Sequence, residues 1–210
     1  AQQGLNQEQM KTSASVYRYE RLKELLDETE QNTPERTATI LRDYKGLHNA
    51  DIGLTNEKAM NQFIAHHSII FEPKKLLVWV STSPWQEGAY ICYDLKKIFS
   101  LKAQVIHGDI DEASLMIQPD TLMNTIDFEH VKEYLSIEND LKYKRPINAT
   151  EIVRINPTYY DSYRIAGDEY QREGKTDSAT QMYQKALTLE IATEGEREAI
   201  QKKLERLNRE

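Results

Sequence analysis

Cysteine is almost absent: Cys92 stands alone among 210 residues. One thiol closes no internal disulfide and builds no cysteine-based zinc site, so the redox compartment is unreadable. Glycine and proline are sparse as well, at eight and six, which excludes a collagen-like or linker-like chain. Long apolar runs are missing. The best of them, Leu76 to Val80 and Ser68 to Phe71, fall far short of the roughly 20 residues a membrane-spanning helix needs. Positive charge is in deficit, with 27 Lys and Arg against 34 Asp and Glu and a net charge of −7. A chain of that sign repels phosphate backbones, so nucleic acid is not an expected partner. The opening, Ala1-Gln2-Gln3-Gly4, has no basic stretch followed by an apolar one, so no signal peptide is read there. These features leave the compartment open; the expectation is a bacterial periplasmic or secreted setting slightly ahead of the cytoplasm.

What is present is a polar but globular balance, 39% apolar and 29% charged. The length suits one domain, or one domain with a small appendage, and buries a core without disulfides. Residues 1–12 are polar and patternless. Residues 13–46 predict two helices. In the first, Tyr19, Leu22, Leu25 and Leu26 share a face, and Ser13 or Ser15 caps the start. In the second, Thr33 is the N-cap, Pro34 the first helical residue and Glu35 the first-turn acid. Its stripe is Ile40, Leu41 and Tyr44, and Gly46 ends it. A loop with one helical turn from Asn56 follows.

The period then changes. Ile64 to Phe71, Leu76 to Ser81 and Ala89 to Asp94 are short runs rich in Ile, Val, Trp and Tyr. Glu72-Pro73-Lys74-Lys75 reads as a hairpin turn, and Ser83 to Gly88 as a longer loop. The expected arrangement is a three-stranded antiparallel meander. Trp79 and Leu77 face one way, Val78 and Val80 the other, so the strand asks for cover on both faces. Residues 100–128 are ambiguous. Residues 128–142 predict a helix capped by Asp127, with Phe128, Val131, Tyr134, Leu135 and Leu141 inward.

The C-terminal stretch is the clearest. Asn156-Pro157 opens a helix carrying Tyr163, Ala166, Gly167 and Tyr170 at helical spacing. Gly174 turns the chain. Ala179, Tyr183 and Ala186 then share a face, beside Met182 and Leu187. These offsets match the tetratricopeptide pattern, in which small residues let two helices approach and aromatics fill the gap. Ile191 stands where that pattern has a proline. A third helix, Glu194 to Asn208, turns Ile200, Leu204 and Leu207 inward as a cap, because one repeat cannot bury its own faces.

Few residues suggest chemistry. His66 and His67 are adjacent on a predicted strand and point to opposite faces, so they cannot chelate together. His48, His107 and His130 lack ligand spacing. Asp109, Asp111 and Glu112 follow Gly108 without the distal ligands of a calcium loop. Cys92 lies mid-strand and reads as a small buried hydrophobe. Neither a phosphate-cradling glycine loop nor a Gly-x-Ser-x-Gly elbow occurs. No metal or cofactor is implied.

One resemblance goes further. Ile40-Leu41-Arg42-Asp43, Asn56-Glu57-Lys58-Ala59, the run from Ala65 to Pro73, Trp79-Val80-Ser81 and Tyr90-Ile91-Cys92-Tyr93-Asp94-Leu95 follow one another in order. Together they resemble the autoproteolytic acyltransferases and hydrolases related to isopenicillin N acyltransferase. The likeness runs from Ser13 to Phe99, somewhat under half the chain. It implies the N-terminal nucleophile fold, two stacked sheets between helical layers. It also implies self-cleavage that frees a cysteine whose thiol attacks and whose α-amine is the base. The reactions implied are amide hydrolysis or acyl transfer on small N-acyl substrates. This chain departs from that pattern: Ala1 carries no nucleophile, and no internal residue supplies one. It therefore looks like the C-terminal part of such an enzyme, inactive alone. The expected partner is a missing N-terminal segment carrying the nucleophile, or a second copy of the chain.

The segment from Ser13 to Arg21 resembles the serine-then-arginine segment that opens a helix in the related bile-salt and penicillin amide hydrolases. Carried over, Arg18 becomes the candidate catalytic residue, a guanidinium favouring the thiolate. Ser15 is the second candidate, although capping alone accounts for it. The expected fold class is α+β: a partial N-terminal nucleophile-type region over 1–145 and a tetratricopeptide-like tail over 146–210. The competing expectation is a non-catalytic interaction protein whose repeat hairpin holds a partner segment. An open, polar hairpin face favours binding, and a face covered by Ile200, Leu204 and Leu207 counts against it.

Overall fold

The computed structural model describes residues 12–100 and 110–209, over which the chain is mixed α+β. Readings placed on residues 1–11, and on His107, Gly108 and Asp109, lie outside these. Eight α-helices and one three-stranded sheet are present among the described residues.

Helix α1 (Ser15–Asp27) buries a different face from the one its apolar residues suggest. Arg21 and Leu25 point inward, while Tyr19 and Leu26 are 60% and 40% exposed. Arg21 goes inside because its fork is fully met. Nε and Nη2 donate to the two Asp43 carboxylate oxygens at 2.8 and 2.9 Å. Nη2 also donates to Asn49 Oδ1, and Nη1 to Glu24 Oε2, both at 2.8 Å. A buried guanidinium is tolerated only with such partners. The N-cap is Ala14, without a side-chain acceptor, so Ser15 is not a cap and Ser13 is not one either. Ser13 Oγ instead accepts from the Ser15 N–H at 3.1 Å.

Helix α2 (Pro34–Leu41) begins as its sequence dictates. Thr33 Oγ1 accepts from the Arg36 N–H at 3.2 Å, with Pro34 and Glu35 in the first turn. It stops at Leu41, ahead of Gly46. Its Ala38 packs on a meander of β1 (Ile69–Glu72), β2 (Leu77–Ser81) and β3 (Tyr90–Asp94), paired in that order. Strand β1 starts at Ile69 rather than Ile64, so exposed His66 and His67 precede it. On the inner face Ile70, Trp79 and Cys92 stand in register and are buried together with Tyr90 and Ile117. On the outer face Ile69, Val80 and Ile91 form one row, and Phe71, Val78 and Tyr93 another. Ile69 is 44% and Phe71 64% exposed.

Helix α3 (Leu95–Ser100) follows β3 directly. From residue 110 the described part of the ambiguous stretch is irregular: Ile117 bridges to Tyr90, Asp111 bridges to Tyr93, and two short 3-10 turns lead on. Helix α4 (Ile126–Lys142) is capped by Thr125, whose Oγ1 accepts from the Phe128 N–H at 3.4 Å. Asp127 is a first-turn acid, not the cap. Phe128, Val131 and Tyr134 are buried; Leu135 and Leu141 are partly so.

The remaining helices form the largest core. Helix α5 (Ala149–Ile155) is capped by Asn148, and α6 (Tyr160–Arg172) begins three residues after Pro157. Gly174 takes φ +75°, a left-handed turn into α7 (Thr176–Leu187). Ala179, Tyr183 and Ala186 are fully buried, and a Cβ on Gly167 would lie 2.5 Å from the Tyr183 ring. Helix α8 (Glu194–Leu207) opens on a capping box between Thr193 and Glu196. Its Ile200 and Leu207, with Leu204 partly buried, join the core that holds Ala179, Tyr183 and Ala186.

The loop before the sheet sews the regions together. Leu54 N–H donates to Asn156 Oδ1 at 3.0 Å, and Asn156 Nδ2 returns a bond to the Leu54 carbonyl at 2.7 Å. No helix among the described residues is long and apolar enough to cross a membrane.

Candidate functional site

The two sequence candidates meet at the start of α1. Arg18 is half-buried and Ser15 exposed. Arg18 donates from Nη2 to Ser15 Oγ at 3.4 Å and from Nη1 to the main-chain carbonyl of Glu57. That carbonyl is held in place by its own loop. Asn56, fully buried, donates from Nδ2 to the Ile52 and Glu190 carbonyls at 2.8 and 3.0 Å. Its Oδ1 accepts from the Lys58 N–H at 3.0 Å. Lys58 Nζ then pairs with Glu190 Oε1 at 2.5 Å and sits 4.7 Å over the Tyr17 ring. Arg18 is thus fixed by a strap (residues 52–58) anchored in the helical region.

Glu57 belongs to the same group, although nothing in its sequence position marked it as a site residue. Burial pushes its carboxyl up to about 7, and Glu196 and Asp161 push the same way. Tyr159 Oη donates to Glu57 Oε2 at 3.2 Å and opposes the shift. A group titrating there is suited to proton transfer near neutrality.

Beside this group a cleft of about 670 Å³ opens between α1 and the α7–α8 connection. Its floor is apolar: Ala14, Ile191 and Ala192 are buried. Tyr17 forms a wall, its hydroxyl accepting from the Leu47 N–H at 2.9 Å. Glu20, Glu194 and Glu198 stand at the edge, with Arg197. Small-molecule sites run to about 300–1,000 Å³, so the volume is ample.

The single cysteine is not part of this group. Cys92 is fully buried on the inner sheet face, and burial pushes its thiol up to about 11, with Glu112, Asp94 and Glu72 adding to the effect. At neutral pH it is a thiol with no solvent access, a packing residue. Among the described residues no three His, Cys, Asp or Glu side chains gather as metal ligands would.

A second buried polar group lies behind α2. Arg42 donates to the carbonyls of Gln86 at 3.1 Å, Gly88 at 2.7 Å and Gln118 at 3.2 Å. Glu87 is fully buried beside it. Asn61 Nδ2 donates to its Oε1, while Oε2 has no hydrogen-bond partner. Burial pushes Glu87 up to about 7, Asp120 adds to the shift, and Asn61 and Arg42 oppose it.

Compared with protein-family models, with curated proteins and with solved structures, the chain gives no match.

Proposed function

We propose that this chain is the C-terminal portion of a cysteine N-terminal nucleophile amidohydrolase or acyltransferase acting on the amide bond of small N-acyl substrates. In this reading Arg18 is the catalytic arginine, which favours the thiolate of a cysteine encoded ahead of residue 1. Ser15 steadies its guanidinium. The three-stranded meander is one layer of a two-sheet stack, and α6 to α8 form a tetratricopeptide-like appendage.

The observation that carries the reading is the sheet. Its inner face is packed by α2, whereas the outer face, though it buries Val78, leaves Ile69 and Phe71 exposed at the β1 end, as a layer with a second sheet still to come would. The competing reading, a repeat hairpin gripping a partner segment, loses ground. Ile200 and Leu207 of α8 share one core with Ala179, Tyr183 and Ala186 of α7, so that side of α7 is occupied.

The test uses the complete reading frame. Expressed intact, it should cleave itself before a cysteine, as read by mass spectrometry, and then hydrolyse N-acyl amides. Arg18→Ala should lower kcat/KM by roughly 10²-fold or more, the usual loss when an electrostatic partner of the reacting centre is removed. A reading frame without an upstream cysteine, or one that never cleaves, sinks the proposal.

A further inference from the structure

We propose that the cleft between α1 and the α7–α8 connection binds a small amphiphile with a compact apolar body and a cationic end, a primary ammonium or a guanidinium. The inference concerns binding alone and holds whether or not the chain takes part in amide hydrolysis.

The body is dictated by the floor. Ala14, Ile191 and Ala192 are 6%, 2% and 3% exposed, and the Tyr17 ring stands beside them. Small aliphatic side chains leave the depth, and nothing there demands a hydrogen bond. The Thr193 hydroxyl donates to Glu196 Oε2 at 2.9 Å and accepts from the Glu196 N–H at 3.3 Å within the capping box, and the Tyr17 hydroxyl accepts from the Leu47 N–H. An apolar group entering the cleft therefore leaves the Thr193 hydroxyl fully paired.

The charged end is dictated by the edge. Of the two cations lining the cleft among the described residues, Lys58 is spoken for: its side chain is 16% exposed, and its Nζ rests on Glu190 and the Tyr17 ring. Arg197 is turned partly away, donating to the Leu187 carbonyl at 3.3 Å. Against them stand three carboxylates in solvent. Glu20, Glu194 and Glu198 have side chains 48%, 60% and 59% exposed. Their cationic neighbours hold them loosely, Lys23 at 3.2 Å, Arg197 at 3.8 Å and Lys202 at 3.7 Å. Exposed pairs of this kind contribute little and yield readily to a better-placed cation. The net charge of −7 adds a field of the same sign at low salt.

The experiment titrates the 210-residue chain with n-hexylammonium, n-hexanoate and n-hexanol at low ionic strength, following isoleucine methyl resonances. n-Hexylammonium should bind saturably, shift Ile191 and bind roughly tenfold more tightly than n-hexanoate. Exchanging both edge acids, Glu194→Gln with Glu198→Gln, should weaken n-hexylammonium several-fold and leave n-hexanol unchanged. Reversing them, Glu194→Lys with Glu198→Lys, should make n-hexanoate the better ligand. Both side chains are solvent-exposed, so these variants keep the fold, and Ile191 shifts report on the cleft itself. Equal binding of the ammonium and the carboxylate overturns the proposal. So does the absence of saturable binding, or an unchanged affinity in the glutamine variant.

Discussion

Buried charge in this protein is handled in two ways, and they differ in what they do to stability. Arg21 meets carboxylates, with Asp43 bidentate and Glu24 beside it, so the pair is neutralised on site. Glu87 has no such partner. One oxygen accepts from Asn61, the other accepts nothing, and Arg42 gives its bonds to carbonyls. Its carboxyl therefore rises from an ordinary 4.5 to about 7. Between those values the folded chain holds a proton that the unfolded chain has released. Stability is then greatest on the acid side and falls as pH rises through the window. At roughly 1.4 kcal/mol per pKa unit the loss is on the order of 3 kcal/mol across it. Glu57 acts in the same direction. Thermal unfolding midpoints measured from pH 5 to pH 8 should fall, fall less for Glu87→Gln, and stay flattest when Glu57→Gln is added. The slope is the quantity to compare, because any packing offset of the glutamine is common to every pH. A parent midpoint that rises over this range contradicts the assignment.

Among the elements, the α6–α7 contact is set by a missing side chain. A Cβ at Gly167 would stand 2.5 Å from the Tyr183 ring, which is fully buried and whose hydroxyl donates to Asp168 Oδ1 at 2.6 Å. The ring cannot swing away without giving up that bond. Alanine there gains about 1 kcal/mol of helix propensity and loses about 1–3 kcal/mol to overpacking. Gly167→Ala should be destabilising by up to roughly 2 kcal/mol in urea unfolding, and Tyr183→Leu on top of it should recover part of the loss. Gly174 offers the contrast. A Cβ there meets nothing within 4 Å, so Gly174→Ala should cost about 1 kcal/mol through its positive φ alone.

This contact also shows what the sequence makes legible. Gly167, Ala179, Tyr183 and Ala186 carry their spacing openly, because each partner is a neighbour on a helix or one turn away. Thr33-Pro34 does the same for α2. Arg21 could not be read this way: its partners Asp43 and Asn49 lie beyond the next helix, and alone it is one polar letter on an apolar face. The Thr125 cap was hidden by an equally good capping residue, Asp127, two positions on. Residues 110–125 follow no period because bridges to β3 and short 3-10 turns hold them. At the candidate site, Arg18 and Ser15 were reached by resemblance. Glu57 was not, since its meaning comes from a tyrosine 102 residues away.

The whole molecule is uneven in how it covers apolar surface. The helical region closes on both sides of α6 and α7, with α5 against one and α8 against the other. The sheet closes fully on one side only: on the other Val78 is buried and Val80, Ile91 and Tyr93 are half-buried. Its outer rows run Ile69, Val80, Ile91 and Phe71, Val78, Tyr93, and the β1 end is the most exposed. Burying a phenylalanine or isoleucine side chain is worth about 1.5–3 kcal/mol. Two copies meeting through these rows would bury four such groups at the β1 ends alone. The 210-residue chain should therefore shift from monomer to dimer with rising concentration in sedimentation velocity, and more readily at high salt, which screens its net negative charge. Ile69→Lys with Phe71→Lys should weaken that association by more than tenfold while leaving the unfolding midpoint nearly unchanged, because both side chains already face solvent. In the complete reading frame the same two substitutions should instead impair folding or self-cleavage, since there the face would be occupied by the second sheet. A parent chain that stays monomeric at every concentration removes the self-association. A complete protein indifferent to both lysines removes the stacked layer and, with it, the main support for the amidohydrolase reading.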